Sequence, residues 1–224
     1  MSMDIYGKVV EVVGAMIYAT MPSAKIGESV VIIDRSSGTE TPAEVVGFKR
    51  DYVLLAAIGE MTGIAQNSLV KGSGSVFQVP VGDHLLGCVL DGMGRISYAP
   101  DWQSGVPEKP NFRHVEGAPP DPMARQMISQ PFQTGVRAID GFLTVGRGQR
   151  LGIFAAAGGG KSTLIGMLMR NSDSDINVIC LIGERGREVK EFVEHNLTDE
   201  TRKKTILVVS TSERPALERV KAAY

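Results

Sequence analysis

The residues best able to do chemistry fall in one run, RLGIFAAAGGGKSTLIGMLMR, from Arg150 to Arg170. An apolar stretch breaks into Gly158, Gly159 and Gly160, a single lysine follows at Lys161, and helix-forming residues come next. Glycines free the backbone to turn its N–H groups onto anionic oxygens. A helix N-terminus then points at the same anion. In such a loop Lys161 reaches the β and γ phosphates, Ser162 is the Mg²⁺ ligand, and Thr163 adds a hydroxyl near the α phosphate. The common pattern G-x-x-x-x-G-K-[ST] has glycine where this chain has Ala155. Alanine is the smallest replacement, and that position serves mainly the exit from the strand. A flexible glycine linker with a chance lysine explains neither the strand before nor the helix after.

A second feature is LIGERGREV. Glu184 follows an apolar strand at its C-terminal end, the edge where open α/β sheets take ligands. A carboxylate there can orient and activate water against a γ-phosphate. Arg185 and Arg187 can meet phosphate oxygens or pair with Glu184 or Glu188. Glu184 also reads as the Mg²⁺-organising acid of such enzymes, or the run as a charged surface capping a helix. Lys190 and Glu194 have the i, i+4 spacing of a solvated helix face.

The elements that must position these groups divide in two. Residues 1–80 are dense in short Val/Ile-rich runs, such as KVVEVVGAMIYATM and SVVIID, punctuated by SSGTETP and KGSG. They predict a small all-β barrel or sandwich with no catalytic motif, best suited to structure or oligomerisation. Residues 81–224 form the second unit. It opens on a Gly-rich turn and a stretch with six prolines between Pro100 and Pro122, which cannot be one helix or a central strand. An alternating α/β pattern follows. QRLGIFAA, INVICLIG and TILVVS read as strands, INVICLIG buried on both faces. TGVRAIDGFL, KSTLIGMLMR, GREVKEFVEHNL and RPALERVKAAY read as helices. The order implies a mainly parallel sheet.

Bulk properties narrow the class. The chain has 224 residues, 43% apolar, with a formal net charge of −1. That gives no case for a nucleic-acid surface. Cys88 and Cys180 stand alone in apolar settings and read as buried thiols in a reducing cytoplasm. His84 and His114 have no partner at metal-ligand spacing. The apolar run VVGAMIYATM is too short to span a bilayer. No basic leader precedes it, Asp4 being the first charge, so no secretory signal is expected.

Together, QPFQTGVRAIDGFLTVGRGQRLGIFAAAGGGKSTL, LIGERGREVKEF and SERPALERVKAAY resemble the cytoplasmic ATPases of bacterial type III secretion systems. That family is similar to the flagellar export ATPase and, more distantly, to the catalytic subunit of the rotary ATP synthase. SERPALERVKAAY looks more like the injectisome branch. The resemblance implies a six-stranded N-terminal barrel forming a hexamer collar, followed by a RecA-like core with ATP and Mg²⁺ as ligands. Gly158, Gly159, Gly160, Lys161, Ser162 and Thr163 match the family's nucleotide loop, Glu184 its catalytic glutamate, and Arg185 the arginine near the γ-phosphate.

It further implies a homohexamer at the inner membrane beneath an export gate. There it would meet a stalk protein, a regulator, and chaperone–substrate complexes that it separates and unfolds. The family's core continues past the position of Tyr224 with a metal-organising aspartate, an arginine finger, adenine contacts and a helical domain. The expectation is therefore a truncated chain. The alternatives are a nucleotide-binding or structural module without turnover, and a flagellar or rotary-type subunit. The RNA-translocating ATPases that share the core fit poorly, because the β region lacks interleaved aromatic and basic residues.

Overall fold

The computed structural model describes residues 6–103, 105, 107–156 and 158–224. Asp4 and Ala157 lie outside the described residues.

Six strands close the N-terminal barrel: β1 (Tyr6–Val13), β2 (Met16–Thr20), β3 (Glu28–Ile33), β4 (Glu40–Lys49), β5 (Tyr52–Ala57) and β6 (Leu69–Val76). Their order around the barrel is β1-β2-β5-β4-β3-β6, every pair antiparallel. The run KVVEVVGAMIYATM is thus a hairpin, turned at Gly14 with φ 59°. Side chains alternate inward and outward along each strand. Val9, Ile17, Val30, Ile32, Val45 and Leu55 fill the interior, and closure removes every free edge.

After the barrel come β7 (Gln78–Val81), β8 (Val89–Asp91), β9 (Ile96–Tyr98) and β10 (Asn111–His114). The proline-rich segment runs extended, and its β10 pairs antiparallel with β7. Next come β11 (Pro131–Phe132), α1 (Arg137–Phe142), β12 (Val145–Gly146) and α2 (Lys161–Asn171). The chain continues through β13 (Asn177–Ile182), α3 (Gly186–Asn196), α4 (Asp199–Lys203), β14 (Thr205–Ser210) and α5 (Ala216–Lys221).

The main sheet has the order β13-β14-β8-β9. β13, β14 and β8 are parallel, and β9 folds back antiparallel on β8. Leu85, Cys88 and Leu90 are buried beneath it with Ile206 and Val208 packed on them. The three parallel strands end together, so Ile182, Ser210 and Asp91 share one sheet edge.

The two units are joined by Lys221 of α5. Its Nζ lies 2.6 Å from Glu44 Oε2 on β4 and 2.5 Å from Glu116 Oε1 on the extended segment. The Glu44 contact is an ion pair. Burial alone draws the Lys221 pKa down, but the two carboxylates outweigh it and hold the ammonium above its ordinary value.

Three expectations change. The apolar stretch Leu151–Ala156 is in no strand, and Phe154 is 95% exposed. INVICLIG forms β13 but is not buried on both faces: Val178 is 63% exposed. Cys180, on the same face as Val178, is exposed, whereas Cys88 is buried as expected. One cause covers all three. β13 has β14 on one side and, among the described residues, no strand on the other. A ladder needs a partner, and an apolar face stays open until something packs on it.

Candidate functional site

The phosphate loop is built as its composition dictates. Gly158 and Gly160 adopt φ of 76° and 82°, which L side chains rarely tolerate. A Cβ on Gly159 would sit 2.9 Å from the Ala155 Cβ and 3.0 Å from the Ala156 carbonyl oxygen. The glycines therefore answer two constraints: backbone handedness at 158 and 160, and close approach at 159. Gly160 caps α2, and its carbonyl accepts from the Leu164 N–H. No side chain caps this terminus. The first-turn amides of Lys161, Ser162 and Thr163 therefore have no intrahelical acceptor and present a partial positive charge. Gly158 through Thr163 are exposed.

Glu184 is placed by the end of the sheet. Gly183, at φ 74°, donates its N–H to the Ser210 carbonyl over 2.8 Å, and Ser212 N–H donates to the Glu184 carbonyl over 3.1 Å. Both bonds tie the turn after β13 to the end of β14. The Glu184 side chain then faces the loop, with Oε1 3.3 Å from Lys161 Nζ. Arg185 is the cap of α3, and its guanidinium pairs with Glu188 at 3.7 Å on the surface. Arg187 pairs with Glu191, and Lys190 with Glu194. The structure thus brings Glu184 to Lys161 and turns Arg185 along α3.

These groups suit a polyphosphate with a divalent cation. Uncapped amides and an ammonium attract anions, and the Ser162 hydroxyl is a hard oxygen of the kind Mg²⁺ takes. An open cleft of about 770 Å³ lies elsewhere. It is lined by Phe132, Leu143, Leu151, Phe154, Leu164 and Ile179 among others and includes neither Lys161 nor Glu184. It is the open apolar face beside β13, and its chemistry does not suit phosphate.

Sequence reasoning missed two charged residues of α5. Glu218 is 4% exposed, its Oε1 3.4 Å from Ser210 Oγ and 3.8 Å from Arg214 Nε. Burial pushes its carboxyl above the ordinary value, against the pull of Arg214 and with the push of Asp91. Lys221 is the interdomain tie described above. Both read as surface charges of a short helix: the Lys221 partners are remote in sequence, and the i, i+4 spacing of Arg214 and Glu218 does not signal that Glu218 is buried.

The fold and loop match models of the ATP synthase alpha/beta family twice. Residues 9–74 match its beta-barrel domain and residues 135–224 its nucleotide-binding domain. The chain belongs to that family. Within it, the chain is 48% identical over 219 residues to a type 3 secretion system ATPase of Xanthomonas euvesicatoria, covering 98% of this chain and 49% of the relative. It is 46% identical to the flagellum-specific ATP synthase of Bacillus subtilis, with 98% and 49% covered. The assembled type III secretion ATPase EscN from enteropathogenic E. coli superposes with TM-score 0.83 at 46% identity, over 97% of this chain and 51% of EscN. EscN in complex with its central stalk EscO gives 0.85, with 97% and 52% covered. The chain spans about half the length of these relatives. The resemblance drawn from QPFQTGVRAIDGFLTVGRGQRLGIFAAAGGGKSTL, LIGERGREVKEF and SERPALERVKAAY together is borne out, as is a barrel followed by an α/β core.

Proposed function

We propose that this chain is the barrel and nucleotide-binding portion of an ATPase that drives protein export through a type III secretion system. The observation that carries the reading is the Lys161–Glu184 juxtaposition at the sheet edge, in a chain 48% identical to a type 3 secretion system ATPase. Gly158, Gly159 and Gly160, with the amides opening α2, hold the β and γ phosphates, and Lys161 neutralises them. Ser162 is the Mg²⁺ ligand, and Thr163 bonds nearer the α phosphate. Bound Mg²⁺ supplies charge neutralisation to the phosphates. As Lys161 turns to the phosphates it leaves Glu184, whose freed carboxylate accepts the proton of the water that attacks the γ-phosphorus while the bond from that phosphorus to the β–γ bridging oxygen breaks and ADP leaves. Arg185 swings from Glu188 to the γ-phosphate.

In this reading the barrels form the collar of a homohexamer, peripheral to the inner membrane on the cytoplasmic side. EscN, solved as an assembly and with a stalk protein, supports the same arrangement here. Stalk, regulator and chaperone–substrate complexes are the partners. Among the described residues no helix is long and apolar enough to cross a membrane.

The flagellar branch is the second reading, favoured by 46% identity to the Bacillus subtilis relative. Deletion of the gene and complementation with wild type or Glu184→Gln separates the two. Loss of effector secretion with motility intact supports the injectisome reading. Loss of motility with secretion intact supports the flagellar one, and no effect on either contradicts both.

A further inference from the structure

We propose that Glu218 of α5 is a positioning residue for Glu184, holding the sheet edge from which that carboxylate meets the phosphate loop. The proposal rests on the ATPase reading above.

The turn that carries Glu184 hangs on the end of β14 by two backbone bonds. Gly183 N–H donates to the Ser210 carbonyl over 2.8 Å, and Ser212 N–H donates to the Glu184 carbonyl over 3.1 Å. A shift of Ser210 therefore carries the Glu184 backbone with it. Ser210 is buried, and its Oγ donates to Glu218 Oε1 over 3.4 Å. The side chain of Glu218 thus holds the same residue whose carbonyl holds Gly183.

That bond is long, and packing completes it. Gly92, next to the end of β8, is buried, and its φ lies outside the left-handed region. A Cβ there would sit 2.7 Å from Glu218 Cγ and 3.0 Å from the Glu218 carbonyl oxygen. The glycine therefore answers to the close approach of α5. Burying a carboxylate is costly, and an apolar side chain would fill the same space without that cost. What the carboxylate adds is direction: it accepts from Ser210 on one side and pairs with Arg214 Nε at 3.8 Å on the other.

α5 is itself fastened one turn further on, where Lys221 lies between Glu44 of the barrel and Glu116 of the extended segment. Glu218 stands on a helix anchored outside the sheet and passes that fixed position to the ends of β14 and β8. The phosphate contacts of the proposed site come from the loop and α2, whereas this hold acts on the turn presenting the carboxylate. Its loss disturbs the chemical step more than binding, since a misplacement of about 1 Å costs up to about a hundredfold in rate.

The test compares Glu218→Ala, Glu218→Gln and Gly92→Ala in the intact protein. Glu218→Ala removes the hold, and kcat should fall about tenfold with KM for ATP within about threefold of wild type. Glu218→Gln keeps an acceptor for Ser210 and the packing on Gly92, so its kcat should stay within about threefold of wild type. Gly92→Ala pushes α5 from the edge with Glu218 intact and should act like Glu218→Ala. Hydrogen exchange without nucleotide reads the hold directly. The amides of Gly183 and Ser212 should exchange about tenfold faster or more in Glu218→Ala and Gly92→Ala, while those of α2 from Leu164 onward keep their wild-type rates. An unchanged kcat in either variant, an equal loss in Glu218→Ala and Glu218→Gln, a rise in KM matching the fall in kcat, or unchanged exchange at Gly183 and Ser212 would overturn the positioning role. If Lys161→Ala retains full turnover, the nucleotide reading fails. The exchange rates still decide whether Glu218 holds the edge.

Discussion

Lys161 Nζ and Glu184 Oε1 stand 3.3 Å apart, joining the first residue of the loop helix to the residue that leaves β13. Their side chains are 46% and 33% exposed, so the pair contributes no more than about 1 kcal/mol to stability. That weakness suits its place. A polyphosphate brings several negative charges to the same ammonium and displaces one half-solvated carboxylate. In the proposed ATPase, the contact would engage the charge of both groups without nucleotide and release Glu184 when nucleotide arrives.

Glu184→Gln should separate binding from turnover. Glutamine keeps the shape but cannot take a proton, so kcat should fall by roughly 10²–10⁴-fold. The affinity for a non-hydrolysable ATP analogue should stay or tighten, because a negative charge beside the anion site is removed. Steady-state hydrolysis and calorimetry on the same preparation measure both.

Lys221→Met should loosen the barrel from the core. Its side chain is 4% exposed and that of Glu44 12%, so the substitution leaves Glu44 charged, buried and unpaired. The full cost of such a break is several kcal/mol, reduced here because the Glu116 side of the cluster is solvated, and about 2 kcal/mol is expected. Glu116→Gln should cost under about 1 kcal/mol. Urea unfolding of the variants against wild type gives both values.

Glu218→Gln should change how stability depends on pH. Burial raises the Glu218 pKa in the folded state above its ordinary 4.5. The folded chain then binds more protons than the unfolded one between the two values, so stability falls as pH rises through them. The favourable contribution is complete below the ordinary value and lost above the folded one. Glutamine carries no such titration. The melting temperature of Glu218→Gln relative to wild type should therefore rise as the pH is raised from 4.5 through the folded-state value. A difference constant over that range would contradict the assignment.

Features governed by local rules were legible in the sequence. The glycines of the loop, the helix starting at Lys161, the strand before Glu184 and the alternating barrel strands follow from backbone freedom and periodicity within a few residues. Features set by partners far along the chain were not. Leu151–Ala156 reads as a strand by composition, but strand structure requires a neighbour, and no described residue supplies one. Val178 and Cys180 look buried for the same reason. Lys221 and Glu218 look like solvent-facing charges because nothing in SERPALERVKAAY points to Glu44, Glu116 or Ser210.

The most direct measurement is calorimetric titration of a non-hydrolysable ATP analogue into wild type and Lys161→Ala, with and without Mg²⁺. Binding to wild type should be strengthened by Mg²⁺, and Lys161→Ala should weaken it by about tenfold to a hundredfold, the worth of a charge-assisted contact. Equal affinity for the two proteins, or no response to Mg²⁺, would contradict the assignment of the loop as the phosphate site.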